Sequence, residues 1–132
     1  MAFRIKRYDT CYRAPMRETT IDSGKVKGIP GGNYICTVFK GIPYAKPPVG
    51  ELRFRRPQPV EPWEGVRECF NFGPAAYQLD RAYEEGAKNL YPTPYEISED
   101  CLYINVWTPA EKTTDKLPVL FWNHGGGTIL GY

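Results

Sequence analysis

Six prolines, Pro43, Pro47, Pro48, Pro57, Pro59 and Pro62, crowd the stretch from Gly41 to Trp63. Each lacks an N–H donor and holds its own φ nearly fixed, so the stretch can form neither a regular helix nor a central strand. Yet Ile42, Tyr44, Val49, Leu52, Phe54 and Trp63 make it too apolar for a disordered linker. The pattern predicts an ordered wrap across the surface of a domain, pinned by these side chains. The competing reading is a polyproline ligand for another protein. It would need a P-x-x-P run standing clear of the apolar residues, and none does.

The rest of the composition narrows the class. A chain of 132 residues permits one domain of ordinary size. The apolar share is 42% and the charged share 24%, as in a soluble globular protein. A net charge of +2 implies neither nucleic acid nor a membrane surface as partner. The run Arg53, Arg55, Arg56 reads as a solvated surface. No apolar segment approaches the ~20 residues needed to cross a bilayer. Residues 1–10 are charged throughout with no apolar core, so no export signal is read there and the expected location is cytoplasmic. Cys11, Cys36, Cys69 and Cys101 form no C-x-x-C pair and have one histidine for company, so no metal is expected and reduced thiols are the default.

Along the chain the signals are mostly of strands. Residues 1–17 show no period and read as a loose arm or an edge strand. Thr19 to Gly28 reads as a hairpin with Ser23-Gly24 at the turn and Ile21 and Val26 as apolar flanks. Gly31-Gly32-Asn33 is a second turn, and Tyr34 to Lys40 a third strand. Tight connections make antiparallel pairing of the three the natural assignment. Gly65 to Gly73 reads as loop. Leu79, Ala82 and Tyr83 fall at helical spacing, suggesting one short helix within Ala75 to Leu90. Cys101 to Trp107 is a strand in which Leu102, Ile104 and Val106 alternate with Tyr103, Asn105 and Trp107. Thr108-Pro109 ends it.

The chemistry gathers at Leu117 to Gly127. Val119-Leu120-Phe121-Trp122 is a short apolar run that suits a strand buried on both faces; Pro118 and the glycines leave no length for a buried helix. It breaks into His124-Gly125-Gly126-Gly127. Consecutive glycines cost backbone entropy on ordering. They suit a place where backbone N–H groups must closely approach a ligand, such as the oxyanion formed in acyl transfer. The bland alternative is a flexible turn after a strand.

Several long segments agree on one family. Phe39 to Phe54 (FKGIPYAKPPVGELRF), Pro62 to Val66 (PWEGV), Ser98 to Val106 (SEDCLYINV) and His124 to Gly127 come in an order that resembles the type-B carboxylesterase/lipase family, the cholinesterase-like α/β-hydrolases. The resemblance runs from about residue 19 to the end. It implies an α/β fold, of which residues 1–132 would be the incomplete N-terminal part of a single domain: antiparallel or mixed strands, long proline-rich loops and little helix. It implies hydrolysis of a small carboxylic ester through an acyl-enzyme, with no cofactor. Gly126 and Gly127 match the oxyanion-hole glycines, His124 and Gly125 the residues that support that loop. Arg53 and Glu99 match an ion pair; were it buried, removing one partner would cost roughly 3–5 kcal/mol. Tyr91 falls near the family's choline-stacking tryptophan, and a tyrosine face can also hold a cation; the competing and favoured reading is an ordinary surface tyrosine.

The departures matter as well. In the family the cysteine of S-E-D-C is often bridged to one just after G-P-A, but here Gly73-Pro74-Ala75 is followed by Ala76. Cys101 is therefore expected to be reduced, with a bridge to Cys69 as the alternative. Thr128 and Tyr132 stand where an aromatic residue and a serine are common. Ser23 and Ser98 lie outside any G-x-S-x-G, and His124 is the sole histidine. Nucleophile, base and acid are thus expected in the remainder of the hydrolase domain, with these residues alone inactive and poorly folded. The rival function is a catalytically silent cholinesterase-like adhesion or binding module.

Overall fold

The computed structural model describes residues 16–32, 36–78, 96–127 and 131. Among these residues the strands are β1 (Glu18–Ile21), β2 (Gly24–Lys27), β3 (Ile29–Pro30), β4 (Thr37–Pro43), β5 (Val66–Glu68) and β6 (Tyr103–Thr108), with a 3₁₀ turn at Gly50–Leu52. They form two three-stranded sheets, in the orders β1-β2-β5 and β3-β4-β6.

The predicted hairpin is present, but its turn lies one residue earlier than Ser23-Gly24, because Gly24 is already paired in β2. β1 and β2 pair antiparallel, with Thr19 opposite Val26 and Ile21 opposite Gly24, so Asp22 and Ser23 make the turn. The third strand runs later than Tyr34 to Lys40: it spans Thr37–Pro43, and residues 33–35 lie outside the described residues. Against expectation it carries the central strand of its sheet into the start of the proline-rich stretch, since Pro43 sits at its very end, where a missing N–H costs the ladder least. Nor does β4 extend the hairpin. β2 instead takes β5 as a parallel partner, while β4 lies between β3 and β6, antiparallel to both. Thus Val66–Glu68 is a strand within the stretch expected to be loop. Its three residues are all exposed and carry no burial pattern to announce it.

Cys69 explains how the two sheets hold together. Its N–H donates to Lys27 O of β2 at 2.8 Å, and its C=O accepts from Lys40 N–H of β4 at 2.8 Å. One buried residue thus serves one sheet with its donor and the other with its acceptor, leaving neither backbone group unsatisfied. Around it lie Val26, Phe39 and Ile42, with Ile21, Trp63 and Ile104 packed against them.

β4 reaches this core with a bulge. Phe39 pairs with Val106 and Ile42 with Ile104, so Lys40 and Gly41 together oppose Asn105. Gly41 has φ +68°, and its N–H donates to Asn105 Oδ1 at 2.9 Å. A Cβ there would lie 2.6 Å from Asn71 O, so glycine is required on both conformational and steric grounds. The extra residue returns Ile42 to the core face after Phe39. On β6, Ile104 faces the core, whereas Val106 reaches the surface.

The proline-rich stretch has no regular structure after the 3₁₀ turn until β5. Only some of its predicted anchors are buried. Ile42 is, and Trp63 packs on the core, its indole N–H donating to Lys25 O at 2.9 Å. Tyr44, Val49 and Phe54 are exposed, Phe54 at 92%. Pro57 and its neighbours fix the path of the backbone without requiring every apolar side chain to turn inward.

The apolar run is the largest departure. Val119, Leu120, Phe121 and Trp122 form no strand and are exposed at 90%, 89%, 69% and 79%. A strand draws its stability from ladder partners and from cover on its faces. Among the described residues neither is provided for this segment. The helix expected around Leu79, Ala82 and Tyr83 lies outside the described residues.

Candidate functional site

The glycine segment follows the exposed run and is itself exposed from His124 to Gly127. Gly126 has φ +125° and Gly127 φ +63°, two consecutive residues in the region that L side chains avoid. Gly125 differs: it has no positive φ, and a Cβ there would meet nothing within 4 Å. The conformational requirement for glycine therefore falls on the second and third members of the triplet. His124 Nδ1 lies 2.9 Å from Gly125 O, and in the tautomer protonated at Nδ1 the imidazole donates to it. The ring is thus engaged with its own loop.

Gly131 closes the segment. It has φ +130°, and a Cβ on it would collide with His124 Nδ1 and with Gly125 O. Its N–H donates to Gln78 Oε1 at 2.7 Å, while its C=O accepts from Gln78 Nε2 at 3.2 Å. Nothing in the sequence marks Gln78 or Gly131: a single amide side chain has no periodicity, and Gly131 stands apart from the triplet.

The Arg53 guanidinium pairs through Nε with Glu99 Oε1. The pair is not buried, however: the two side chains are 58% and 32% exposed. The buried-pair cost of the preceding reading does not apply at such exposure. Tyr91, Thr128, Tyr132 and Cys11 lie outside the described residues. Ser98 Oγ accepts from Asp100 N–H at 3.1 Å, an ordinary local turn bond, and Ser23 sits in the hairpin turn. Neither serine is hydrogen-bonded to His124.

Cys69 and Cys101 are thiols, not bridged to each other. Burial pushes the Cys69 thiol up, with Arg67 pulling the other way. Burial, then the charges of Asp100 and Glu99, push Cys101 up. Neither is a poised nucleophile. Among the described residues no group of three or more His, Cys, Asp or Glu side chains is arranged to hold a metal. No helix there is long and apolar enough to cross a membrane. A shallow cleft of about 400 Å³ is lined in part by Lys46, Glu61, Trp63, Arg67, Asp100 and Tyr103, with no member from the glycine segment.

Comparison with known proteins defines the class. A family model described as the carboxylesterase family matches residues 15–132. The chain is 42% identical over 127 residues to carboxylesterase 1E of Mus musculus, covering 89% of this chain and 22% of that protein. It is 40% identical over 131 residues to the medium-chain fatty acyl-CoA hydrolase precursor of Anas platyrhynchos, covering 92% and 24%. Among solved structures, a PNB esterase superposes with a TM-score of 0.74 at 40% identity, covering 89% of this chain and 23% of that one. Its structural relatives are thus esterases of the α/β-hydrolase type. The chain belongs to the carboxylesterase family. It spans less than a quarter of the length of these three relatives.

Proposed function

We infer that these residues are the N-terminal part of a serine carboxylic ester hydrolase, and that they contribute the glycine half of its oxyanion hole. The observation that carries this reading is the pair of left-handed glycines, Gly126 and Gly127, directly after His124 in a member of the carboxylesterase family. When a nucleophile attacks an ester carbonyl, the oxygen acquires a full negative charge. Two successive amides pre-set toward it lower that barrier without reorganising at the moment of attack. In this reading His124 and Gly125 brace the loop, and the Arg53–Glu99 pair has a structural role.

The nucleophile, base and acid come from residues outside these 132. Ser23 and Ser98 stand in turn contexts, and the imidazole of His124 is held by Gly125 O. The reaction is two-step acyl transfer on a small carboxylic ester, needing no cofactor. The test is turnover of p-nitrophenyl acetate by the full-length protein, combined with treatment by an organophosphate. Turnover abolished by one covalent phosphoryl group per chain is expected. Absence of both turnover and labelling would exclude this function.

A further inference from the structure

We propose that Gln78 is a positioning residue for the glycine loop, clamping Gly131 so that His124 and Gly125 are held in register. This rests on the ester-hydrolase reading above. The clamp is bidentate: one side-chain amide accepts from the Gly131 N–H and donates to the Gly131 C=O, across 53 residues of sequence. Both backbone groups of one residue are therefore satisfied by one side chain, much as a neighbouring strand would satisfy them.

The clamp has a firm root and a sensitive target. Ala75, three residues before Gln78, is buried. Its N–H donates to Glu96 O at 2.7 Å, and its C=O accepts from Ser98 N–H at 2.9 Å. Gly73 lies so close under the Tyr103 ring of β6 that no side chain would fit there. At the other end, Gly131 has no room for a Cβ beside His124 Nδ1 and Gly125 O, the two atoms of the loop's own contact. A triplet of glycines has more conformational freedom to lose than any other tripeptide. Oxyanion donors act through preorganisation, so a tether on the loop's exit limits how far the amides stray.

The inference separates kcat from KM. In the full-length protein, Gln78→Met keeps the length of the side chain and removes both hydrogen bonds to Gly131, together with the local bond from Gln78 Nε2 to Ala76 O at 3.2 Å. It should lower kcat on p-nitrophenyl acetate about tenfold, the effect of roughly one hydrogen bond of positioning, with KM within about twofold. Gln78→Glu can still accept from the Gly131 N–H but cannot donate, and should lose about threefold. A Gln78→Met enzyme with the kcat of the parent overturns the proposal. Should that variant melt below the assay temperature, parental kcat in Gln78→Glu does so instead. A parent protein without esterase turnover would remove the hydrolase reading itself, whereas an active parent unaffected at position 78 removes the clamp alone.

Discussion

Arg53 and Glu99 join the turn after the proline-rich segment's 3₁₀ helix to the loop that leads into β6, through Arg53 Nε and Glu99 Oε1. The pair is partly exposed, and the Arg53 guanidinium also lies 4.9 Å from the Phe54 ring centre. A double-mutant cycle with Arg53→Gln and Glu99→Gln, read by urea unfolding of the intact protein, should give a coupling of about 0–1 kcal/mol. A coupling of roughly 3 kcal/mol or more would mean that the pair is buried in the intact protein.

Thr37 opens β4 with no exposed surface, and its hydroxyl has no hydrogen-bond partner among the described residues. Such an orphan costs about 1–3 kcal/mol relative to a satisfied group, whereas an apolar isostere leaves nothing unsatisfied. Thr37→Val should therefore be neutral or stabilising by up to about 2 kcal/mol, helped by valine's preference for strands. A loss of more than about 1 kcal/mol in chemical denaturation would show that the hydroxyl is engaged.

The thiols set an alkaline limit. Cys69 and Cys101 are both raised above the ordinary value of 9.0, burial being the leading cause for each. The folded state then holds these protons more tightly than the unfolded chain. Their contribution is complete below the ordinary thiol value and is lost as pH rises through the higher folded value. Tyr103, raised by burial and by its hydrogen bond to Asp100, acts with the same sign above 10.0. Urea midpoints should fall with pH beyond this range, less so in a Cys69→Ala, Cys101→Ala double variant. A midpoint that climbs with pH would contradict the assignment.

The exposed run from Val119 to Trp122 bears on these 132 residues produced alone. Each large apolar side chain left in water forgoes about 1.5–3 kcal/mol of burial. Contiguous apolar surface of this kind promotes association. Sedimentation should show concentration-dependent association, reduced by Leu120→Lys with Trp122→Lys. A monodisperse monomer with a sharp cooperative melt would contradict the exposure seen here.

These particulars show what local sequence could reveal. The β1–β2 hairpin was legible because Ile21 and Val26 flank a short polar turn, and most of β6 because its pattern and Thr108-Pro109 mark it. β5 was not, since three exposed residues become a strand only through parallel pairing with distant β2. The bulge at Gly41 was equally hidden, being set by Asn71 and Asn105 together. Val119 to Trp122 advertised burial, but apolar composition names no partner. At the candidate site the glycine triplet drew attention, yet its letters did not show that Gly126 and Gly127 take positive φ while Gly125 does not. Gln78 became visible only once Gly131 was seen against it.

The claim that matters most is that the amides of Gly126 and Gly127 stabilise the oxyanion. It is tested most directly by comparing full-length parent and Gly126→Ala proteins for kcat, KM and affinity for a trifluoromethyl ketone that adds the nucleophile as a tetrahedral mimic. With φ at +125°, alanine at position 126 forces the loop to move. The expected result is a fall in kcat of about 10²–10³, a parallel loss of ketone affinity and little change in KM. A folded Gly126→Ala protein with parental kcat and undiminished ketone affinity would contradict it.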